Sequence, residues 1–554
     1  MVTFNDLLSW SGTNLFEAGD ALVAASHKYE QVNTNLQEKD LGDGLSGKTF
    51  EAEAKARRIL ADDAEDLWTG LEKAGNDLKS ASTTVTTINN AAHNLVTRIK
   101  DDELIISESG EITVDYTNDP GRDPVDAAFL VEGYERERDR LVEQAGDTVT
   151  FISSVYNELT KLDDTANGPS PEVVNHGERP PNPKWTPSQV NDWWTSLTDA
   201  QRQNIINKHP AWIGNLDGIP SNERYQANLI WLPIMQAEID KSVKDYEPKF
   251  TRDGIITPGY KEMLQRQKDI HALSTMFLDD KGKPKSLDDK GKPSPVDGRT
   301  LLVLDNSGDH FRAAIASGDV DNADHVVVTT PGMDSTVDNG LAKSNGDPAK
   351  YVNGTENIMT ESGLGWSTTE NKDQEKGQET VAGVTWLGYD APHAEKVFSS
   401  GEAKEGGKHM ADFYDGLQET HHGDPHLMAA GHSYGSLATG YALRQSTAPD
   451  DFSIMGSPGP SSVDASEFHM LPDHTFAAAN NWDPIAASGY YGGNPTTNPN
   501  SDFTALDTDA NGPYKYSSGH SNYTDKGSTS LHSQGQILKG VKPDYVDRPS
   551  IKHG

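Results

Sequence analysis

Apolar residues recur every three to four positions through residues 14–38 and 50–79, among Ala, Leu, Glu and Lys, a period that predicts two amphipathic helices. The glycines of LGDGLSGKTF, residues 41–50, predict a turn between them, so the pair reads as a helical hairpin. The pattern breaks over 107–124, where EITVDY fits a short strand and NDPGRDP a loop; a further helix is predicted over 125–162. Residues 1–163 therefore read as a mostly α-helical N-terminal domain. The next stretch, 164–184, carries five prolines and little apolar content, and reads as a linker. Helical periodicity returns over 185–300, read as a segment that precedes and packs on the domain after it. Thr186-Pro187-Ser188-Gln189 and Thr198-Asp199-Ala200-Gln201 are capping boxes, in which Thr and Gln answer each other's backbone N–H groups. Trp185, Trp193, Trp194, Trp212 and Trp231 fall in this segment, where a packed helical core is the simplest use for them. LDDKGKP occurs twice over 278–293, too few copies for a solenoid, and reads as a duplicated exposed loop.

Beyond residue 300 the period changes. Short β-rich runs alternate with helix-compatible stretches: LLVLD (301–305), HVVVTTPG (325–332), VAGVTWLGY (381–389), HLMAAGHS (426–433), DFSIMGSPG (451–459) and HTFAAANNWDPI (474–485). Continuous apolar runs of this length suit strands buried on both faces. Residues 301–554 are thus expected to form an α/β domain, a mainly parallel sheet with helices on both faces.

Charge and composition narrow the function. The formal net charge is −37, so a phosphate backbone would be repelled and nucleic-acid binding is excluded as a reading. The chain has no cysteine, which removes disulfides, thiolate metal sites and a cysteine nucleophile. No run of about 18 apolar residues exists to span a bilayer. The start, MVTFNDLLSWSG, lacks the basic region and apolar block of a Sec signal peptide, so synthesis in the cytoplasm is expected.

The run at 426–433 leads into Gly431-His432-Ser433-Tyr434-Gly435. A G-x-S-x-G match alone means little in a chain with 50 glycines. Here, however, a buried strand precedes it and LATGYALRQS, helical and small-residue-rich, follows, which is the context of a nucleophile elbow. Gly431 and Gly435 permit the tight turn that lifts Ser433 Oγ above the sheet. The backbone N–H of Tyr434 would face a developing oxyanion. A second N–H is expected from the loop after 325–330, where Gly332 permits close approach and Met333 supplies the donor. A serine hydroxyl needs a base, and behind such an elbow the chain order is Ser, acid, His. Asp483, just past the apolar run of 474–485, is the expected acid; Asp464 and Asp473 compete but follow no apolar run. His520, in a Gly/Ser-flanked loop, is the expected base, ahead of His532 in a C-terminal helix and terminal His553. His421, His422 and His426, in ETHHGDPH, lack a metalloprotease spacing and read as a loop, while His432 reads as a packing or pocket residue. The long polar stretches 335–380 and 484–519 are expected to cover the site.

These blocks also carry a resemblance. NADHVVVTTPGMDST, VTWLGYDAP, GHSYGS, GSPGP, WDPIA and GHSNY are similar to the cutinase-like α/β-hydrolase family of actinobacteria, and WWTSLTDAQRQNIINKHPAWIGNLDGIPSNERYQAN resembles the helical segment that precedes the hydrolase there. The resemblance covers roughly residues 185–540. It implies an α/β-hydrolase fold and a Ser433–Asp483–His520 triad that cleaves an ester, a lipid or acyl ester, through an acyl-serine without cofactor or metal. The helical N-terminus resembles W-x-G substrates of type VII secretion, with Leu45-Ser46-Gly47 where the tryptophan would stand, and no Tyr followed four residues later by an acid after the helical region. It implies a signal-less export route and a protein partner for these helices. A second reading therefore stands beside the esterase: a secretion-linked interaction or effector protein, with lipolytic toxin activity or an inert hydrolase domain.

Overall fold

A computed structural model of the chain describes residues 2–38, 48–107, 109–114, 124–164, 173, 176–250, 258–368, 378–393 and 399–549. The chain divides into two compact units, Met1–Gly168 and Pro169–Gly554.

In the N-terminal unit, α1 (Phe4–Ser9) starts at a capping box on Thr3 and is followed by α2 (Thr13–Glu38) and α3 (Lys48–Asp101). The second helix of the expected hairpin runs 22 residues past position 79, since α3 ends at Asp101. Leu78, Ala81, Val85, Ile88, Ala92, Leu95 and Ile99 are all buried at alternating spacings of three and four, so a single apolar seam holds the extension in helical form. Gly19 and Gly75 let the backbones of α2 and α3 touch: a Cβ on Gly19 would stand 2.5 Å from the Gly75 carbonyl oxygen. The strand expected at EITVDY is half of a hairpin, β1 (Leu104–Ile106) against β2 (Ile112–Val114), before α4 (Pro124–Asp164). The turn containing Leu45-Ser46-Gly47, and residues 165–172 and 174–175 of the expected linker, lie outside the described residues.

The C-terminal unit opens with α5 (Pro187–Ser196) and α6 (Asp199–Lys208), and both capping boxes form, on Thr186 with Gln189 and on Thr198 with Gln201. Trp193 and Trp194 are fully buried, with Trp185 and Trp212 packed against their cluster. Helices α7 (Ser221–Phe250) and α8 (Pro258–Phe277) follow. Each LDDKGKP copy folds into the same tight loop: Asp279 Oδ1 accepts from the N–H groups of Lys281 and Lys283, and Asp288 Oδ1 from those of Lys290 and Lys292.

Among the described residues the centre is one ten-stranded sheet. Its strands are β3 (Arg299–Asp305), β4 (Arg312–Ser317), β5 (His325–Thr330), β6 (Gly365–Trp366), β7 (Thr380–Leu387), β8 (His426–His432), β9 (Asp451–Met455), β10 (Thr475–Ala478), β11 (Thr504–Leu506) and β12 (Val546–Arg548). The spatial order is β12-β11-β10-β9-β8-β5-β7-β4-β3, with β6 beside β7. From β7 to β11 every pairing is parallel, while β3, β4 and β12 pair antiparallel at the two edges. The strands β5, β7, β8, β9 and β10 are buried along nearly their whole length, which is why they read as unbroken apolar runs. Helices α9 (Val337–Gly340), α10 (Lys350–Glu361), α11 (Gly401–Thr420), α12 (Tyr434–Leu443) and α13 (Thr529–Leu538) complete the unit. The stretch 335–380, expected as a polar cover, instead contains α9, α10 and β6, and α10 buries Val352, Ile358 and Met359; its residues 369–377 lie outside the described set.

Candidate active site

Strand β8 ends at His432 and helix α12 begins at Tyr434, so Ser433 makes the whole connection. Its φ of 55° and ψ of −131° lie where a side chain is strained. The surroundings hold it there. The Ser433 N–H donates to the Met455 carbonyl at 2.9 Å, and the Ser436 hydroxyl donates to the Ser433 carbonyl at 2.5 Å. Gly431 and Gly435 are required by close approach: a Cβ on the first would stand 2.4 Å from Ser436 Cα, and on the second 2.4 Å from the carbonyl oxygens of Thr330 and Pro331.

The loop after β5 crosses directly over the serine. A Cβ on Gly332 would meet Ser433 Cβ at 2.6 Å, so glycine alone lets this backbone lie so near the hydroxyl. Tyr389 donates from its hydroxyl to the Pro331 carbonyl at 2.8 Å and pins the loop. Met333 comes next, partly buried against the main core. Tyr434 begins α12, where first-turn N–H groups have no acceptor within the helix; its hydroxyl donates to the Ser399 carbonyl at 2.5 Å.

His520 Nε2 lies 2.7 Å from Ser433 Oγ, and His520 Nδ1 lies 3.0 Å from each carboxylate oxygen of Asp483. Asp483 also accepts from the N–H groups of Ile485 and Ala486 at 3.0 and 3.2 Å and from the Tyr523 hydroxyl at 2.5 Å. Burial pushes the Asp483 carboxyl up, but the hydrogen bonds from His520 and Tyr523 outweigh it, and its pKa settles below the ordinary value. The carboxylate is therefore charged at neutral pH and able to stabilise an imidazolium. Gly456, at φ +62°, lies against the group: a Cβ there would come 2.9 Å from Asp483 Oδ2 and 3.2 Å from His520 Nδ1.

Three further residues shape the site. Tyr523 accepts from the Asn480 N–H at 2.9 Å while it donates to Asp483, so its ring locks the acid to the end of β10. His432 donates from Nε2 to the His520 carbonyl at 2.7 Å, and Tyr351 donates to His432 Nδ1 at 3.2 Å. Burial, with His520 close by, pushes the His432 pKa down to about 3, so this ring stays neutral and holds the His520 backbone without competing for its proton. His432 could be read from the motif as a pocket residue; Tyr523 ends GHSNY and Gly456 opens GSPGP, so the blocks mark their positions but not their roles.

The other candidates are engaged elsewhere. Asp464 caps a short 3-10 turn through the Ser466 N–H, and Asp473 pairs with Lys542 at 3.4 Å. His532 sits in α13, beside Glu361 at 3.2 Å and stacked on Tyr514. His421 and His422 bond to backbone carbonyls, and His426 pairs with Asp451 at 3.0 Å. His553 lies outside the described residues.

A mainly parallel sheet, with a strained serine between its central strand and the following helix and an acid and a histidine brought in from later loops, is the α/β-hydrolase fold. Residues 306–492 match the profile of a family described as alpha/beta hydrolase. An uncharacterised protein of Mycobacterium tuberculosis is 30% identical over 326 residues, which cover 56% of this chain and 45% of that one. An uncharacterised protein of Mycobacterium bovis is 34% identical over 186 residues, 32% of this chain and 65% of the relative. The chain thus spans about half of the first relative's length. Among solved structures, a hyperthermophilic esterase from the archaeon Pyrobaculum calidifontis is 13% identical over 58% of this chain and 90% of that one, with a TM-score of 0.22. Among the described residues no helix is long and apolar enough to cross a membrane.

Proposed function

We propose that the chain is a serine hydrolase that cleaves a carboxylic ester, a lipid or other acyl ester, with Ser433, Asp483 and His520 as its triad. The observation that carries this reading is the 2.7 Å contact between Ser433 Oγ and His520 Nε2, with Asp483 bonded to the far side of the ring. His520 takes the hydroxyl proton as Ser433 attacks the ester carbonyl. The Asp483 carboxylate stabilises the imidazolium, and the N–H groups of Tyr434 and Met333 receive the oxyanion. His520 returns the proton to the departing alcohol, leaving an acyl-serine. A water deprotonated by His520 then attacks this ester and releases the acid. None of these steps calls on a cofactor or metal. Within the α/β hydrolases we place the chain with the cutinase-like group, assign the chemistry to residues 301–554, with 185–300 packed on them, and assign the helical domain of 1–163 to partner binding or a type VII-like export route.

Labelling with a fluorophosphonate tests the assignment. Wild type is expected to label and to hydrolyse short acyl esters. Ser433→Ala is expected to lose the label and about 10⁴–10⁶-fold in kcat. A folded wild type that does not label, or a Ser433→Ala variant that still does, would overturn it.

A further inference from the structure

Away from Ser433, Glu262 on α8, His310 in the turn before β4 and His393 after β7 converge so that one ligand atom from each lies within 4.8 Å of the others. We propose that these three residues form a binding site for a divalent transition-metal ion of the Zn²⁺ type. The proposal is independent of the hydrolase reading.

Glu262 Oε1 and His310 Nδ1 stand 3.1 Å apart. Two ligands bonded to a tetrahedral ion at ~2.0–2.1 Å stand about 3.3 Å from each other, so this pair is spaced to share one ion. The rings of His310 and His393 meet edge to face, centroids 4.9 Å apart. His393 Nδ1 bonds to Asp334 Oδ1 at 2.9 Å, which leaves Nε2 for the metal. A carboxylate behind a ligating imidazole is the usual outer shell of such a site: it fixes the ring and raises its basicity.

The turn that presents His310 is held rigidly. Asp390 accepts from the N–H groups of Asp309 and His310 at 3.1 and 3.0 Å and is itself bound by Arg312 Nε and Nη2 at 3.0 and 2.6 Å. Arg266 donates from Nη1 to the Asn306 carbonyl at 2.9 Å and from Nη2 to the Gly308 carbonyl at 2.6 Å. Arg266 Nε also lies 3.8 Å from Glu262 Oε1, but its guanidinium is committed to these carbonyls. A pair of Glu262 and His310 alone would need neither His393 nor the open space beside them. Glu262 and His310 line a cavity of about 710 Å³, which gives an ion an entry path to them. Two imidazoles and one carboxylate favour Zn²⁺, Co²⁺ or Ni²⁺ over Mg²⁺ or Ca²⁺, which prefer more oxygen ligands. A bound ion would tie together α8, the turn before β4 and the segment after β7. Through Asp334 it would also reach the residue that follows Met333.

The test titrates the metal-free full chain with Zn²⁺ by calorimetry and with Co²⁺ by visible spectroscopy, alongside His393→Ala, Glu262→Gln, Asp334→Asn and, as a control, His422→Ala. Wild type is expected to bind one tight equivalent, to show the visible band of a low-coordinate nitrogen–oxygen Co²⁺ site, and to melt at a higher temperature with Zn²⁺. His393→Ala and Glu262→Gln should weaken that equivalent at least ~100-fold, and Asp334→Asn about tenfold. The control should match wild type. The His393 side chain is 47% exposed, so its removal leaves the fold intact, which the melting temperature without metal checks. A wild type without a tight equivalent, or binding unchanged in both ligand variants, would overturn the proposal.

Discussion

Gly332 carries much of the geometry at the scale of single residues, because its missing side chain is what lets the loop after β5 lie on Ser433. The nearest atom to an added methyl would be Ser433 Cβ at 2.6 Å, so the loop or the serine must move. A displacement of about 1 Å at a reacting group costs roughly 100-fold in rate. Gly332→Ala is therefore expected to lower kcat about 100-fold while far-UV dichroism stays that of wild type, which steady-state kinetics on a soluble ester will show. The side chains that meet at the elbow are each marked in the sequence: Ser433 by its flanking glycines, Asp483 by the apolar run before it, His520 by order along the chain. Tyr523, which ends GHSNY, and Gly456, which opens GSPGP, had marked positions, but their roles and that of Asn480 were not legible in that way. Their roles come from approach through space, across the 40 residues between Tyr523 and Asp483, for instance, and no local pattern encodes that. Glu262, His310 and His393 are hidden for the same reason, since each is an isolated residue in its own stretch.

Elements were legible where burial forces a simple pattern. The strands buried on both faces read directly as apolar runs. β4 was missed because RAAIAS offers an arginine, two serine-or-alanine pairs and only one β-branched residue, and its alanines are buried by their neighbours rather than by their own bulk. β6, β11 and β12, of two or three residues each, are too short to show a period. The extension of α3 was missed because SASTTVTTINN is poor in strong helix formers, and tertiary packing of its seam overrides that weakness. The junction of β8 and β9 supports a prediction of its own. His426, at the start of β8, meets Asp451, at the start of β9, at 3.0 Å. Burial opposes its charge, but Asp451 and Asp450 outweigh burial and push its pKa up to about 9. A histidine held above its unfolded value of ~6.5 stabilises the folded state fully below that pH and loses the contribution as pH rises through about 9. Asp450, pushed up to about 6 by burial, also loses stability as pH rises, but its change is centred below that window. His426→Asn should therefore be less stable than wild type by about 2 kcal/mol near pH 6.5, with the gap closing by about pH 10. Urea melts across that range will show whether the two curves converge.

At the scale of the whole molecule, alternation of apolar runs with helix-compatible stretches was enough to predict a mainly parallel α/β sheet, though its antiparallel edges were not foreseen, because pairing direction depends on connections rather than on composition. The net charge of −37 says much about solubility and nothing about this topology. One feature of the elbow does bear on the stability of the entire C-terminal unit. Ser433 holds φ at 55°, a conformation that glycine adopts freely and serine does not. Replacing it with glycine should relieve strain of about 1 kcal/mol, whereas alanine, which keeps the Cβ, should relieve almost none. Ser433→Gly is thus expected to resist denaturant better than both wild type and Ser433→Ala, although neither variant retains a hydroxyl. Durability and chemistry pull in opposite directions at this one position, and the hardiest form of the fold is the one that has given up its serine.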